Sequence, residues 1–271
     1  MTGPLLLGAV AYDPKVVTIW DGFRRWFGEH GFAFDYVLYS NYERQVEDLV
    51  GGRIDVAWNS PLAWIRTARL SPRARAVAMR DSDRDLTSVV VVPVDSPVTS
   101  VTDLAGRLVA TGAVDSPQAT LLPLRLLDGV GASVRRFEVG VGLHGDHIGG
   151  ERQAAEALRA GDVDAACMID ANHLLFSREG VLPAGSTRVL AQTAPYDHCN
   201  MSVVDADVER FVELLLGMDY ADPAVRPLLD LEGLSRWLPG RTEGYAQLAS
   251  AVDAARFYGP GGEVTAAGYR P

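Results

Sequence analysis

Apolar positions along the first two thirds of the chain come in short, separated blocks. LLLGAV (residues 5–10) predicts a β-strand, and residues 16–29 place Trp20, Phe23 and Phe27 at helical spacing on one face. FAFDYVL reads as a second strand, YERQVEDLV as a helix and IDVAW as a third strand. PLAWIRTARL follows as a helix with Ser60 as its cap and Pro61 at its first position, where the missing N–H would have had no partner anyway. SVVVVPV (residues 88–94) is a β-branched strand, after which a second unit starts. It runs DLAGRLVATG, a helix over residues 118–127, VRRFEVGVG, the helix GERQAAEALRAG and the strand VDAACMI. The chain turns extended again through VLAQTAPYDHCNMSVV. Beyond residue 205 it predicts three helices, in DADVERFVELLLGM, PAVRPLLDLEGL and GYAQLASAVDAARF. Strand and helix in alternation are the rhythm of a mostly parallel sheet covered on both faces.

One internal echo breaks the monotony. VEDLVGGRIDVAWNS and AEALRAGDVDAACMID share a helix, a glycine and then [IV]-D-[VA]-A on a strand, ending in polar residues: Asn59 and Ser60 in one copy, Asp170 in the other. Any αβ unit favours glycine at its helix end. The other reading is two similar α/β lobes, each offering the carboxyl ends of its strands to a ligand.

Composition narrows the classes. A chain of 271 residues with 48% hydrophobic and 22% charged residues can bury a core without staples. The formal net charge of −10 argues against nonspecific binding to nucleic acid or to an anionic membrane surface. Two cysteines, Cys167 and Cys199, make no disulfide framework. No segment reaches the roughly 18 consecutive apolar residues of a membrane span. MTGPLLLGAVAYDP has no basic residue before its apolar run and no small-residue cleavage site after it, so the expected location is cytoplasmic.

Three stretches, GGRIDVAWNSPLAW, DLAGRLVATGAVDSPQATLLPLRLL and the histidine loop before ERQAAEALRAGDVDAA, occur in an order that resembles the phosphonate-type solute-binding proteins of the type 2 periplasmic-binding fold. The resemblance covers roughly residues 5–204 and implies an α/β protein of two lobes. The lobes would be residues 1–92 plus 202–271, and residues 93–201, joined by hinge strands near 90–94 and 190–203 and closing on a small molecule. In that family, hydroxyl-bearing residues at a helix amino end hold an anionic head. The matching stretch is Asp115-Ser116-Pro117-Gln118-Ala119-Thr120. Here Ser116 keeps a hydroxyl, Pro117 lacks an N–H, Gln118 substitutes an amide and Asp115 would repel a dianion. A carboxylate, an amino acid or a polar zwitterion therefore fits at least as well as a phosphonate. By the same resemblance Tyr12, Tyr39 and Trp58 are aromatic candidates, with Asn59 and Ser60 beside them, and a histidine of the loop, His144 or His147, contacts ligand.

Of five histidines, four sit in loops near acidic residues: His144, His147, His173 and His198, the last followed directly by Cys199. Imidazole, thiolate and carboxylate are ligands of zinc and iron, so these five residues form a candidate set for iron or zinc. Each is also an ordinary hydrogen-bonding residue, and His147 is placed to cap the helix after it. His198 and Cys199 are expected to point to opposite faces of an extended segment. Two functions remain. One is a cytoplasmic enzyme on the solute-binding fold, in some forms metal-dependent, as the resemblance allows through leaderless biosynthetic relatives, with His147, His198 and Asp170 moving protons. The alternative is a non-catalytic solute-binding protein or sensor of a phosphonate-type ABC uptake system, with the permease as partner. The first is the reading adopted from sequence.

Overall fold

The computed structural model describes residues 3–140 and 147–270. Along the chain, β1 (Leu5–Val10), α1 (Lys15–Glu29), β2 (Phe34–Tyr39), α2 (Tyr42–Val50), β3 (Val56–Asn59), α3 (Pro61–Leu70) and β4 (Arg75–Arg80) come first. Next are β5 (Ser88–Pro93), β6 (Leu108–Thr111), α4 (Leu122–Leu126), β7 (Ser133–Arg136), α5 (Ile148–Ala160), β8 (Ala165–Ile169), α6 (Asp170–Arg178) and β9 (Thr187–Gln192). Last are β10 (Asn200–Val203), α7 (Glu209–Leu216), α8 (Arg226–Glu232), β11 (Trp237–Pro239) and α9 (Ala246–Ala254). No helix among the described residues is long and apolar enough to cross a membrane.

The chain forms two units, residues 3–84 with 197–245 and residues 85–196 with 246–270. The sequence reading places the first crossing near residues 90–94, but β5 lies wholly within the second sheet, between β8 and β9. The final helix, read from sequence as part of the first lobe, packs in the second unit on α4 and the turn before it.

The first unit carries a six-stranded sheet of order β11-β4-β10-β3-β1-β2. Its βα-connected strands β1, β2 and β3 are parallel, while β10 returns from the second unit and enters antiparallel between β3 and β4. The helical stripe read from sequence does bury: Ile19, Trp20, Phe23 and Phe27 of α1 pack with Leu7, Phe34, Trp58 and Met201 of the sheet and with Phe211 and Leu229 of α7 and α8. The second unit has a five-stranded sheet of order β7-β6-β8-β5-β9, again parallel on one side and antiparallel on the other. Both faces of β5 are covered, which is why its sequence is continuous valine. Val89 and Val91 join the core under α5, while Val90 and Val92 join Leu104, Val109 and Cys167 on the opposite face.

The internal echo has a common geometry. In the first unit Asp55 accepts the Leu6 N–H at 2.8 Å and returns its own N–H to the Leu6 carbonyl. In the second, Asp164 does the same for Leu108, at 2.9 Å. The repeated aspartate thus closes the first ladder position between two parallel strands, β1 with β3 and β6 with β8.

Candidate functional site

In the second unit, the chain leaving β6 turns at Gly112, where an added Cβ would lie 2.9 Å from the Ala119 methyl, and enters a helical segment at Pro117. The Ser116 Oγ accepts the Ala119 N–H at 3.1 Å, an N-cap bond, and Pro117 occupies the first helical turn. The first turn is wide, with Leu121 N–H bonding to the Ser116 carbonyl at 3.0 Å, before α4 continues it. Residues 115–120 are all buried, and the Gln118 Oε1 and Thr120 Oγ1 atoms have no hydrogen-bond partner among the described residues. Two carboxylates attend this segment. Glu138 accepts the Val114 N–H at 3.3 Å, and an oxygen of the buried Asp115 carboxylate lies 3.9 Å from Nδ1 of the buried His147. His147 stands at the N-cap position of α5, but its side chain makes no capping bond.

Asp170, at the start of α6, is bonded to the residue before β5 and through it to β9. Its Oδ2 accepts the Thr87 hydroxyl at 2.8 Å, and that hydroxyl in turn accepts Gln192 Nε2 at 2.9 Å. His173 is half-buried on α6 with Nε2 3.0 Å from Thr187 Oγ1, and burial holds its ring below the usual histidine range. Cys167 is fully buried, and burial pushes its thiol up to about 12. His144 lies outside the described residues.

In the first unit the Asn59 amide is fully engaged and buried: its oxygen accepts Gln45 Nε2 at 2.8 Å, and its nitrogen donates to Thr67 Oγ1 at 3.2 Å and Ser202 Oγ at 2.9 Å. Ser60 caps α3 by accepting the Ala63 N–H. The Tyr39 hydroxyl donates to Asp48 at 2.6 Å, and burial together with that carboxylate holds the phenol well above its usual range. Tyr12, just past the end of β1, remains half-buried and open at its edge; burial and the nearby Glu232 push its hydroxyl up to about 12 against the opposing charge of Arg80.

A polar cluster lies past the carboxyl end of β4. Arg80 stacks over Trp58 at 5.1 Å, donates to both oxygens of the buried Asp83 at 2.5 and 2.9 Å, and reaches Glu232 Oε1 at 3.3 Å. Burial disfavours ionised Asp83, but the guanidinium outweighs it and holds the carboxyl down to about 2. Glu232 goes the other way: burial pushes it up to about 7, only partly offset by Arg80. His198 Nδ1 sits 3.1 Å from Cys199 Sγ and 3.5 Å from Asp83 Oδ1. Burial opposes charge on this ring, yet the sulfur and the carboxylate outweigh it and push the imidazole up to about 10. The two neighbours meet because residues 197–199 precede β10 and do not alternate as a strand would, contrary to the expectation from sequence.

The family described as the ABC transporter, phosphonate, periplasmic substrate-binding protein matches residues 9–245. The chain belongs to this family. No curated protein matches it. Among solved structures, PhnD1 from Prochlorococcus marinus in complex with methylphosphonate superposes with TM-score 0.65 at 16% identity, covering 93% of this chain and 98% of that one. XAC2383 from Xanthomonas citri bound to ATP gives 0.70 at 18%, covering 94% and 98%. The periplasmic aliphatic sulphonate binding protein SsuA from Escherichia coli gives 0.56 at 18%, covering 94% and 88%. At these identities the likeness is one of fold, and it is that of two-lobed α/β binding proteins.

Membership in the phosphonate substrate-binding family corrects two expectations. The enzyme reading is overturned, because the family is described as the periplasmic substrate-binding protein of an ABC transporter. The proton-transfer roles given to His147, His198 and Asp170 fall with it; Asp170, the first residue of α6, accepts the Thr87 hydroxyl. The cytoplasmic location is overturned by the family's description as periplasmic. The solute-binding alternative accords with the family.

Proposed function

We propose that the chain is the solute-receiving component of an ABC uptake system. Its solute is a small zwitterion, whose anionic head sits at the amino end of the Pro117 helical segment and whose cationic group faces Asp115. Asp115 carries the reading. A buried carboxylate opens the segment where the family resemblance puts the anionic head, and Glu138 stands on the neighbouring Val114 N–H. Two like charges about 4 Å apart repel by about 4 kcal/mol at an effective dielectric near 20, so a dianion is disfavoured beside Asp115 while a cationic group is favoured. Ser116, Gln118 and His147 are the further contacts proposed in this unit.

The test is calorimetric titration with methylphosphonate, inorganic phosphate, an aliphatic sulphonate and a panel of amino acids and aminoalkyl phosphonates. At least one zwitterion should bind about tenfold tighter than methylphosphonate, and Asp115→Asn should erase that preference. A protein that grips methylphosphonate best, with Asp115→Asn unchanged, would refute the assignment.

A further inference from the structure

The first unit brings together three donor atoms of different kinds at one point. A carboxylate oxygen of Asp83, a ring nitrogen of His198 and Cys199 Sγ all lie within 4.8 Å of one another. The nitrogen is 3.1 Å from the sulfur and 3.5 Å from the oxygen. An ion bound tetrahedrally at about 2.3 Å from sulfur and about 2.0 Å from nitrogen or oxygen separates its ligands by about 3.5 Å. The His198–Cys199 pair therefore needs to open by only a few tenths of an ångström, and the His198–Asp83 pair already stands near that separation.

Its frame is built in advance. The Asp83 carbonyl accepts the His198 N–H at 2.8 Å, and Asp83 Oδ1 faces the Cys199 N–H at 3.3 Å. The Tyr245 hydroxyl donates to the His198 carbonyl at 2.7 Å and itself accepts Asn200 Nδ2 at 2.8 Å. Arg80 donates to both oxygens of the Asp83 carboxylate and fixes it, as outer partners fix a ligating carboxylate. Asp83 and Cys199 are buried, whereas the His198 side chain is 22% exposed, which leaves a side for entry and for a fourth ligand.

We propose that Asp83, His198 and Cys199 form a binding site for one divalent ion of the zinc class. The ion replaces the protons on the thiol and on Nδ1, releasing them to solvent, and clamps the turn after β4 to the segment before β10. The role is structural. It is independent of the solute and of which solute is bound.

The test uses the full chain, stripped with chelator, and zinc chloride as the probe. Calorimetry should show one equivalent bound, with a rise in melting temperature. Cys199→Ser should weaken zinc by at least about 100-fold, since even outer partners of metal sites cost 10–100-fold. His173→Ala, a histidine of the second unit, should leave zinc binding unchanged. Cobalt(II) supplies a second readout: the wild-type protein should show a sulfur-to-cobalt charge-transfer band, and Cys199→Ser should not. Failure of the folded protein to take up zinc would overturn the site. So would zinc binding that persists in Cys199→Ser, or that vanishes only in His173→Ala. Should Cys199→Ser fold poorly, the cobalt spectrum of the wild type decides, and a bound cobalt without the sulfur band sinks the proposal.

Discussion

Asn59 offers a sharp way to separate core from contact. From sequence it is a polar residue at a strand's end, a natural ligand contact; in the structure its amide is enclosed and makes three side-chain hydrogen bonds, to Gln45, Thr67 and Ser202. Replacing it with alanine removes all three. At about 1 kcal/mol net for each buried bond, the loss is roughly 3 kcal/mol. The partners keep other bonds, Gln45 to the Trp58 carbonyl, Thr67 to the Ala63 carbonyl and Ser202 to Asn200, so no larger desolvation penalty is added. Against a typical domain stability of about 5–15 kcal/mol the variant still folds. Urea unfolding followed by tryptophan fluorescence is the assay, since Trp58 and Trp237 stand edge to face in the same unit, 5.7 Å apart. Solute affinity per folded molecule should stay within about twofold. A destabilisation under about 1 kcal/mol, or a tenfold loss of affinity in fully folded protein, would refute the reasoning and return Asn59 to the ligand.

The echo aspartates make a paired prediction. Asp55→Ala and Asp164→Ala should each cost roughly 2 kcal/mol in chemical denaturation, because each removes a charge-assisted bond to a strand N–H, and the costs should add, since the two share no partner. Equal stability of either variant and wild type would remove the ladder-closing role. Glu232 predicts a pH dependence. Its carboxyl sits at about 7 when folded, above the ordinary glutamate value of 4.5, so the folded state holds the proton more tightly than the unfolded one. Its contribution is fully present below about 4.5 and is lost as pH rises through 7, by at most about 3 kcal/mol at 1.36 kcal/mol per pH unit. Glu232→Gln should flatten the fall in stability between pH 5 and 8, and a slope unchanged in that variant would show that another group carries it.

Elements whose signal is local were legible. The α1 stripe, the Ser60–Pro61 start of α3 and the valine run of β5 each announce themselves within a dozen residues, and each is where the pattern puts it. The strand β4 is not announced. Its sequence RAVAMR has arginine at both ends and alanine at alternate positions, so it lacks the β-branched density of a strand and takes its place by pairing with β10 and β11. The helix α6 also escaped, because it begins at Asp170, directly where β8 stops, with no turn residue to mark the change.

That blind spot explains what the sequence could and could not say about the site. Reading by residue type grouped His144, His147, His173, His198 and Cys199 as one metal set; among the described residues, His198 and Cys199 belong to the first unit and His147 and His173 to the second. The carboxylate that His198 and Cys199 meet, Asp83, is 116 positions from Cys199 and was not a candidate. Its place follows from one topological fact. The strand β10 runs antiparallel to β4, with Met201 opposite Ala78, so whatever follows β4 must meet whatever precedes β10. The residues after β4 are Asp81, Ser82 and Asp83; those before β10 are Asp197, His198 and Cys199. Once β4 is recognised as a strand and β10 as the one returning beside it, an aspartate opposite a His-Cys pair is forced by register. A strand too weak to see in sequence thus hid the juxtaposition on which the ion site rests.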